Sequence, residues 1–190
     1  MSKIVVIAGS PNPASRLNGL IGSAVRRWQQ AGIETGTIQV AELPAEALLS
    51  ARYAESAIAE AVSAVEQADG VVIAGPVYKA AYSGLLKSFL DLLPQTGLAG
   101  KIALPLFIGG TIAHLLSVEY ALKPVISALG GRHVLGGVYA VDQWVNRLED
   151  GGFALSEELQ GRLDRAADEL AEELRWLEYR RSRQPAHAAE

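Results

Sequence analysis

Apolar runs punctuate the chain, and each of the first three stops at a cluster of turn formers. Ile4-Val5-Val6-Ile7 ends at Gly9-Ser10-Pro11, Val71-Val72-Ile73-Ala74 ends at Gly75-Pro76, and Ile102 to Ile108 ends at Gly109-Gly110; Gly137 to Val141 is a weaker fourth run. Uninterrupted β-branched and apolar stretches of this length read as strands covered on both faces. Thr37-Ile38-Gln39-Val40 is expected to be a further strand, second in chain order. Between the runs the period changes to three and four residues. Leu17, Leu20, Ile21, Ala24, Val25 and Trp28 predict one amphipathic helix, and Ile58, Val62, Val65 and Ala68 another. Helices are also expected over 84–93, over 112–129, and from Ser156 to about Leu177, with Ser156, Glu157 and Glu158 at its start. Strands alternating with helices form right-handed βαβ units, hence an α/β sandwich around a five-stranded parallel sheet. One of the two common strand orders, 2-1-3-4-5, opens a ligand crevice where strands 1 and 3 diverge, and the loops after Ile7 and Ala74 meet there.

Composition narrows the reading without changing it. At roughly 150 residues per domain, 190 residues make one domain, set here as residues 1–177, with 178–190 a basic and flexible tail. Seventeen Lys and Arg against 21 Asp and Glu leave a net charge of −4, which offers no basic field for nucleic acid. The absence of cysteine removes disulfides, thiolate nucleophiles and Cys-ligated metals, and fits a reducing, cytoplasmic setting. The first apolar run is too short for a signal sequence or a membrane span, so no membrane partner is expected.

Three loops carry the candidate chemistry. The first, Gly9 to Asn18, lies between a buried strand and a helix start, where backbone N–H groups without intrahelical partners attract anions. Ser10, Ser15, Arg16 and Asn18 are its donors. The loop lacks Gly-x-Gly-x-x-Gly and Gly-x-x-x-x-Gly-Lys-Ser/Thr, so a monophosphate suits it better than a dinucleotide. The second, Gly75 to Gly84, offers Pro76, Val77, Tyr78 and Lys79, a stiff exit with an aromatic face for a planar heterocycle. The third offers Gly109, Gly110 and Thr111, where backbone can approach a ring closely, and His114 in the following turn could touch a ligand. No metal site is expected, because His114 has no second ligand at suitable spacing. No Gly-x-Ser-x-Gly elbow exists, which disfavours covalent hydrolysis.

Ala-Gly-Ser-Pro at 8–11, Pro-Val-Tyr-Lys-Ala-Ala-Tyr-Ser-Gly at 76–84 and Gly-Gly-Thr-Ile-Ala-His-Leu-Leu at 109–116 together resemble the NADPH-dependent FMN reductases. The likeness is nearest to the reductase component of alkanesulfonate two-component monooxygenase systems. It implies a flavodoxin-like three-layer sandwich and an enzyme that binds FMN loosely, reduces it with NADPH, and releases FMNH2 to a separate flavin-dependent monooxygenase. It also implies that Ser10, Ser15, Arg16 and Asn18 hold the FMN phosphate, that Pro76, Val77, Tyr78 and Lys79 line the isoalloxazine, and that Gly109, Gly110 and Thr111 contact its rim. The family's usual arginine soon after Gly-Ser-Pro is Asn12 here. No residue is expected to act as acid or base, since hydride passes from nicotinamide C4 to flavin N5 by stacking alone. The alternatives are a reductase of the same fold that keeps FMN and reduces quinones, azo dyes or chromate, and a flavodoxin-type electron carrier.

The stretch 112–129 is apolar around most of its circumference, with Glu119 and Lys123 its strong charges, and 84–93 carries a similar excess. A surface helix should be about half polar, so a homo-oligomer, dimer or tetramer, is expected, with Tyr120, Leu116 and Phe89 as interface candidates. Pro124 cannot donate to the Tyr120 carbonyl, which predicts a kink or π-bulge near Tyr120. The resemblance agrees, implying a tyrosine-containing π-helix at a tetramer interface.

Overall fold

The computed structural model describes residues 2–183. Its centre is a parallel sheet built from β1 (Lys3–Ala8), β2 (Glu34–Gln39), β3 (Gly70–Tyr78) and β5 (Ile102–Gly109), with β6 (His133–Val134) and β7 (Val138–Val141) sharing the last position. The order β2-β1-β3-β5-β6/β7 is the expected 2-1-3-4-5 arrangement with its fifth strand cut in two. Pro105 explains the cut. In a parallel ladder alternate residues address the same neighbour, and Ala103 already accepts from Leu135 N–H. The next donor on that side belongs to residue 105, a proline without an N–H, so pairing lapses until Leu106 meets Val138.

Because strand side chains alternate in direction, each run feeds two cores. Val5, Ile7, Val71, Ile73 and Phe107 face α3 (Ser56–Gln67), α4 (Gly84–Leu90) and α5 (Lys123–Ala128), with the short α2 (Ala45–Leu49) beside them. Ile4, Val6, Val72, Leu104 and Leu106 face α1 (Leu17–Gln30) and α6 (Glu157–Arg183). Trp28 seals the second layer, fully buried with its indole N–H donating to the Ala167 carbonyl at 2.9 Å. Between β3 and α4 lies β4 (Ala81–Tyr82), and before α6 comes a separate hairpin of β8 (Val145–Arg147) and β9 (Phe153–Leu155). No helix among the described residues is long and apolar enough to cross a membrane.

Several expected boundaries are corrected. The second strand is Glu34–Gln39, not 37–40, since Val40 turns into a short 3-10 helix where it is buried. Helix α4 stops at Leu90 rather than 93. The stretch 112–129 is not one helix: a 3-10 turn (Ile112–His114) leads to a π-helix (Val118–Leu122) and then α5. The π segment contains Tyr120, and the Lys123 N–H donates five residues back to the Val118 carbonyl. That wider turn is the local answer to Pro124, which has no N–H for the Tyr120 carbonyl. Helix α6 runs to Arg183, past the expected end near Leu177, supported by edge-on packing of Trp176 on Tyr179 and by an Arg181–Asp69 ion pair. The remainder of the expected tail, 184–190, lies outside the described residues.

Phe89 is corrected most sharply. It is 0% exposed, packed in the chain's own core together with Leu86 and Leu90, so it cannot touch a partner subunit. The apolar excess of 84–93 serves that core. Tyr120 and Leu116 differ: they are 79% and 51% exposed.

Candidate active site

The first loop leaves β1 at Gly9, whose N–H continues the sheet by donating to the Ala74 carbonyl at 2.8 Å. It then folds on itself. The buried Ser10 hydroxyl accepts from Asn12 N–H, Asn12 Oδ1 accepts from Ala14 N–H, and Asn18 Nδ2 donates to the Pro13 carbonyl at 2.7 Å. The helix start is largely self-satisfied: Ser15 Oγ accepts from Leu17 N–H, the Ser15 carbonyl from Asn18 N–H, and the Arg16 carbonyl from Gly19 N–H. Unpartnered first-turn amides, the expected anion donors, are therefore mostly spoken for.

The second loop is not a loop. β3 continues to Tyr78, and Lys79 and Ala80, at φ of 51° and 66°, turn it back so that Val77 pairs Tyr82 and Tyr78 pairs Ala81. Two consecutive left-handed residues define the tight hairpin turns that suit strand twist, and they cost a non-glycine pair about 1–2 kcal/mol each. This strain sits at the carboxyl edge of the sheet, beside the cleft, where strained backbone commonly marks function. The turn holds Tyr78 half exposed, while burial pushes the Tyr82 phenol up, opposed by Lys87. Ser83 anchors the hairpin from below: its hydroxyl donates to the Gly9 carbonyl at 2.6 Å and accepts from Leu86 N–H, capping α4.

At the end of β5, Gly109 lies against Tyr139, whose hydroxyl donates to the Thr111 carbonyl at 2.7 Å. Thr111 Oγ1 accepts from Ala113 N–H and so starts the 3-10 turn. Burial raises the Tyr139 phenol above its ordinary range, with Asp142 adding to the effect.

These exits enclose a cleft of about 190 Å³ at the carboxyl edge of the sheet. Ser10, Ser15 and Arg16 line one wall, Pro76, Val77 and Tyr78 another, and Gly109 and Gly110 the floor of the third. Of the other expected site residues, Asn18 braces Pro13, Lys79 is exposed at the hairpin tip, and Thr111 and His114 do not line the cleft. Two residues without any sequence signal of their own join the cleft, Asp142 and Arg147. A turn pattern at Asp150-Gly151-Gly152 could have exposed the hairpin that carries Arg147. A larger hollow of about 560 Å³ lies at the opposite edge, lined by Asp69 and Arg181, which already pair with each other.

The sequence pattern of NADPH-dependent FMN reductases matches residues 2–146. The chain belongs to that family. It is 48% identical to the FMN reductase (NADPH) of Pseudomonas putida over 143 residues, 75% of this chain and 72% of the relative. It is 46% identical to the FMN reductase (NADPH) of Escherichia coli, covering 75% of each. The crystal structure of an NADH:FMN oxidoreductase in its apo form superposes with a TM-score of 0.81 at 37% identity, covering 90% of this chain and 88% of that one. The chain is accordingly an NAD(P)H:FMN oxidoreductase that uses FMN and NADPH. The donor set fits a flavin phosphate. Arg16, Arg147, Ser10 and Ser15 bring guanidiniums and hydroxyls to the lining beside the Asp142 carboxylate, and the open space beside Gly110 would let backbone approach a ring edge, whereas the space beside Gly109 is filled by Tyr139.

Proposed function

We propose that this FMN reductase treats flavin as a substrate: it reduces FMN with NADPH and releases FMNH2 to a separate flavin-dependent monooxygenase of the alkanesulfonate type, in the cytoplasm. The observation that carries this reading is the likeness to enzymes named FMN reductase (NADPH), 48% and 46% identical, whose name makes FMN the group reduced. The small cleft, about 190 Å³, joins cations, hydroxyls and glycine backbone in one lining and suits the phosphate end of such a flavin.

Bound FMN supplies the electron-accepting ring, whose N5 takes the hydride from nicotinamide C4 when the two rings stack. The protein contributes placement. Ser10, Ser15 and Arg16 hold the phosphate; Pro76, Val77 and Tyr78 shape the shelf beneath the ring; Gly110 lets backbone approach its rim. No acid or base is required of the chain. Asn18 keeps the first loop closed, and Lys79, Thr111 and His114 border the ring side of the shelf.

The deciding experiment is steady-state NADPH oxidation with FMN or riboflavin as acceptor, together with the colour of the purified protein. Colourless protein that needs added FMN supports flavin transfer; yellow protein whose flavin exchanges slowly overturns it in favour of a flavin-retaining reductase. Arg16→Ala is expected to raise the FMN KM about 10- to 100-fold, the range of a lost charge-assisted hydrogen bond, and to change kcat less than about threefold. An unchanged KM removes Arg16 from the site.

The same reading includes self-association through the π-helix. Ile112, Leu115, Leu116 and Tyr120 are all exposed apolar residues on one short stretch, an arrangement that marks contact with another subunit. Light scattering is expected to give a multiple of the single-chain mass, and Tyr120→Asp to lower it. A single-chain mass for the unaltered protein would sink this part.

A further inference from the structure

We infer that Arg147, on the β8–β9 hairpin, is the second cationic arm of the phosphate site and sets the preference for phosphorylated flavin over riboflavin. The inference rests on the reading of the cleft as the flavin-phosphate site. Arg147 lies one residue beyond the stretch that matches the family pattern, so nothing in that match assigns it a role.

The hairpin and the first loop are cross-tied in both directions. Arg16 Nε donates to the Val145 carbonyl at 2.9 Å, and Arg147 Nη2 donates to the Ala14 carbonyl. Each tie consumes one N–H of a group that has five, and each leaves its guanidinium lining the same cleft. The hairpin itself is fixed from behind: Phe153 packs so closely on Gly19 of α1 that a Cβ there would lie 2.8 Å from the Phe153 Cβ. The Arg147 guanidinium sits over the Phe153 ring, 5.8 Å from its centroid. Its position is therefore set by packing.

Charge makes the case. Arg16 and Arg147 have no carboxylate partner among the described residues, a state they share with Arg132, Arg162 and others; what joins these two is that both line the one cleft and each is tied to the other's loop. Asp142 also lines the cleft, beside Gly110, yet bonds to neither guanidinium. Two arginines against one carboxylate leave the lining of the cleft with one net positive charge, which an anion would neutralise. A phosphate monoester dianion, with three terminal oxygens, is the ligand that two planar guanidinium forks and the Ser10 and Ser15 hydroxyls jointly recognise. Riboflavin offers no such group.

The test is fluorescence-quenching titration of FMN and of riboflavin with the full chain, its Arg147→Ala variant and its Arg147→Lys variant. Arg147→Ala is expected to weaken FMN binding roughly 10- to 100-fold while riboflavin binding shifts less than about threefold, and Arg147→Lys to recover part of the loss. Equal weakening of both flavins in the two variants would show that Arg147 only braces the hairpin, and would overturn the inference. Unchanged FMN affinity in Arg147→Ala would do the same while leaving the proposed function standing. Failure of the unaltered protein to bind FMN at all would sink that function and the inference together.

Discussion

Gly9→Ala is expected to destabilise the protein by about 3 kcal/mol, the upper part of the range for overpacking, and to lower its melting temperature by roughly 6–12 °C. A Cβ at Gly9 would lie 2.5 Å from the Leu86 Cβ, 2.9 Å from its Cδ1 and 3.0 Å from its Cγ. The nearest of these atoms is one bond from the backbone, so no change of rotamer clears it. Either α4 retreats or the loop lifts. Retreat is opposed by the full burial of Leu86, Phe89 and Leu90, and by the Ser83 hydroxyl that ties α4 to the Gly9 carbonyl. Lifting the loop carries Ser10 and Arg16 out of the cleft. Urea unfolding measures the first cost, and the FMN KM, expected to rise in the same variant, measures the second. A variant with an unaltered unfolding midpoint would show that α4 yields without loss.

The contacts just described also show which features were readable in the sequence. β1, β3 and β5 were legible because burial on both faces forces unbroken apolar runs, and α1 because one buried stripe forces a 3.6-residue period. Edge strand β2 was started three residues late and ended one residue late, since Glu34-Thr35-Gly36 carries no such constraint, whereas Val40, though apolar, is buried in a turn. Apolar excess shows that a face is covered without showing by what. The same pattern predicted a partner for Phe89, which its own core covers, and for Tyr120, which the described residues leave 79% exposed. The interruption near Tyr120 could be foreseen because a proline's missing N–H is a local fact. In the site, the walls contributed by residues 10–16, 76–78 and 109–110 follow strand ends and are found by locating the strands. Arg147 is invisible to that logic. It reaches the cleft only because the β8–β9 hairpin folds back across 133 residues to the Ala14 carbonyl.

Gly109→Ala is the second large effect expected, about 2–3 kcal/mol of lost stability with weakened FMN binding. Its Cβ would lie 2.2 Å from the Tyr139 hydroxyl, 3.2 Å from Tyr139 Cζ and 3.5 Å from the Val77 Cβ. Tyr139 is held in the sheet beside Phe107 and is 6% exposed, so its ring has little freedom to swing aside. Displacing the hydroxyl also strips the Thr111 carbonyl of its donor, at the point where β5 becomes the third wall of the cleft. Because burial raises the phenol's pKa, that donor stays protonated through neutral and mildly alkaline pH, so the hydrogen bond to the Thr111 carbonyl persists there in the unaltered protein. Geometry predicts a specific rescue. Tyr139→Phe alone should cost about 1 kcal/mol for the hydrogen bond. In Gly109→Ala/Tyr139→Phe the nearest atom becomes Cζ at 3.2 Å, a tight contact that small shifts accommodate. The double variant should then be more stable than the sum of the two single losses predicts, by about 1–2 kcal/mol in a denaturation cycle. Strict additivity would mean that alanine at 109 is accommodated by movement of β5 and not by the tyrosine, and FMN affinity in the double variant would then remain as poor as in Gly109→Ala.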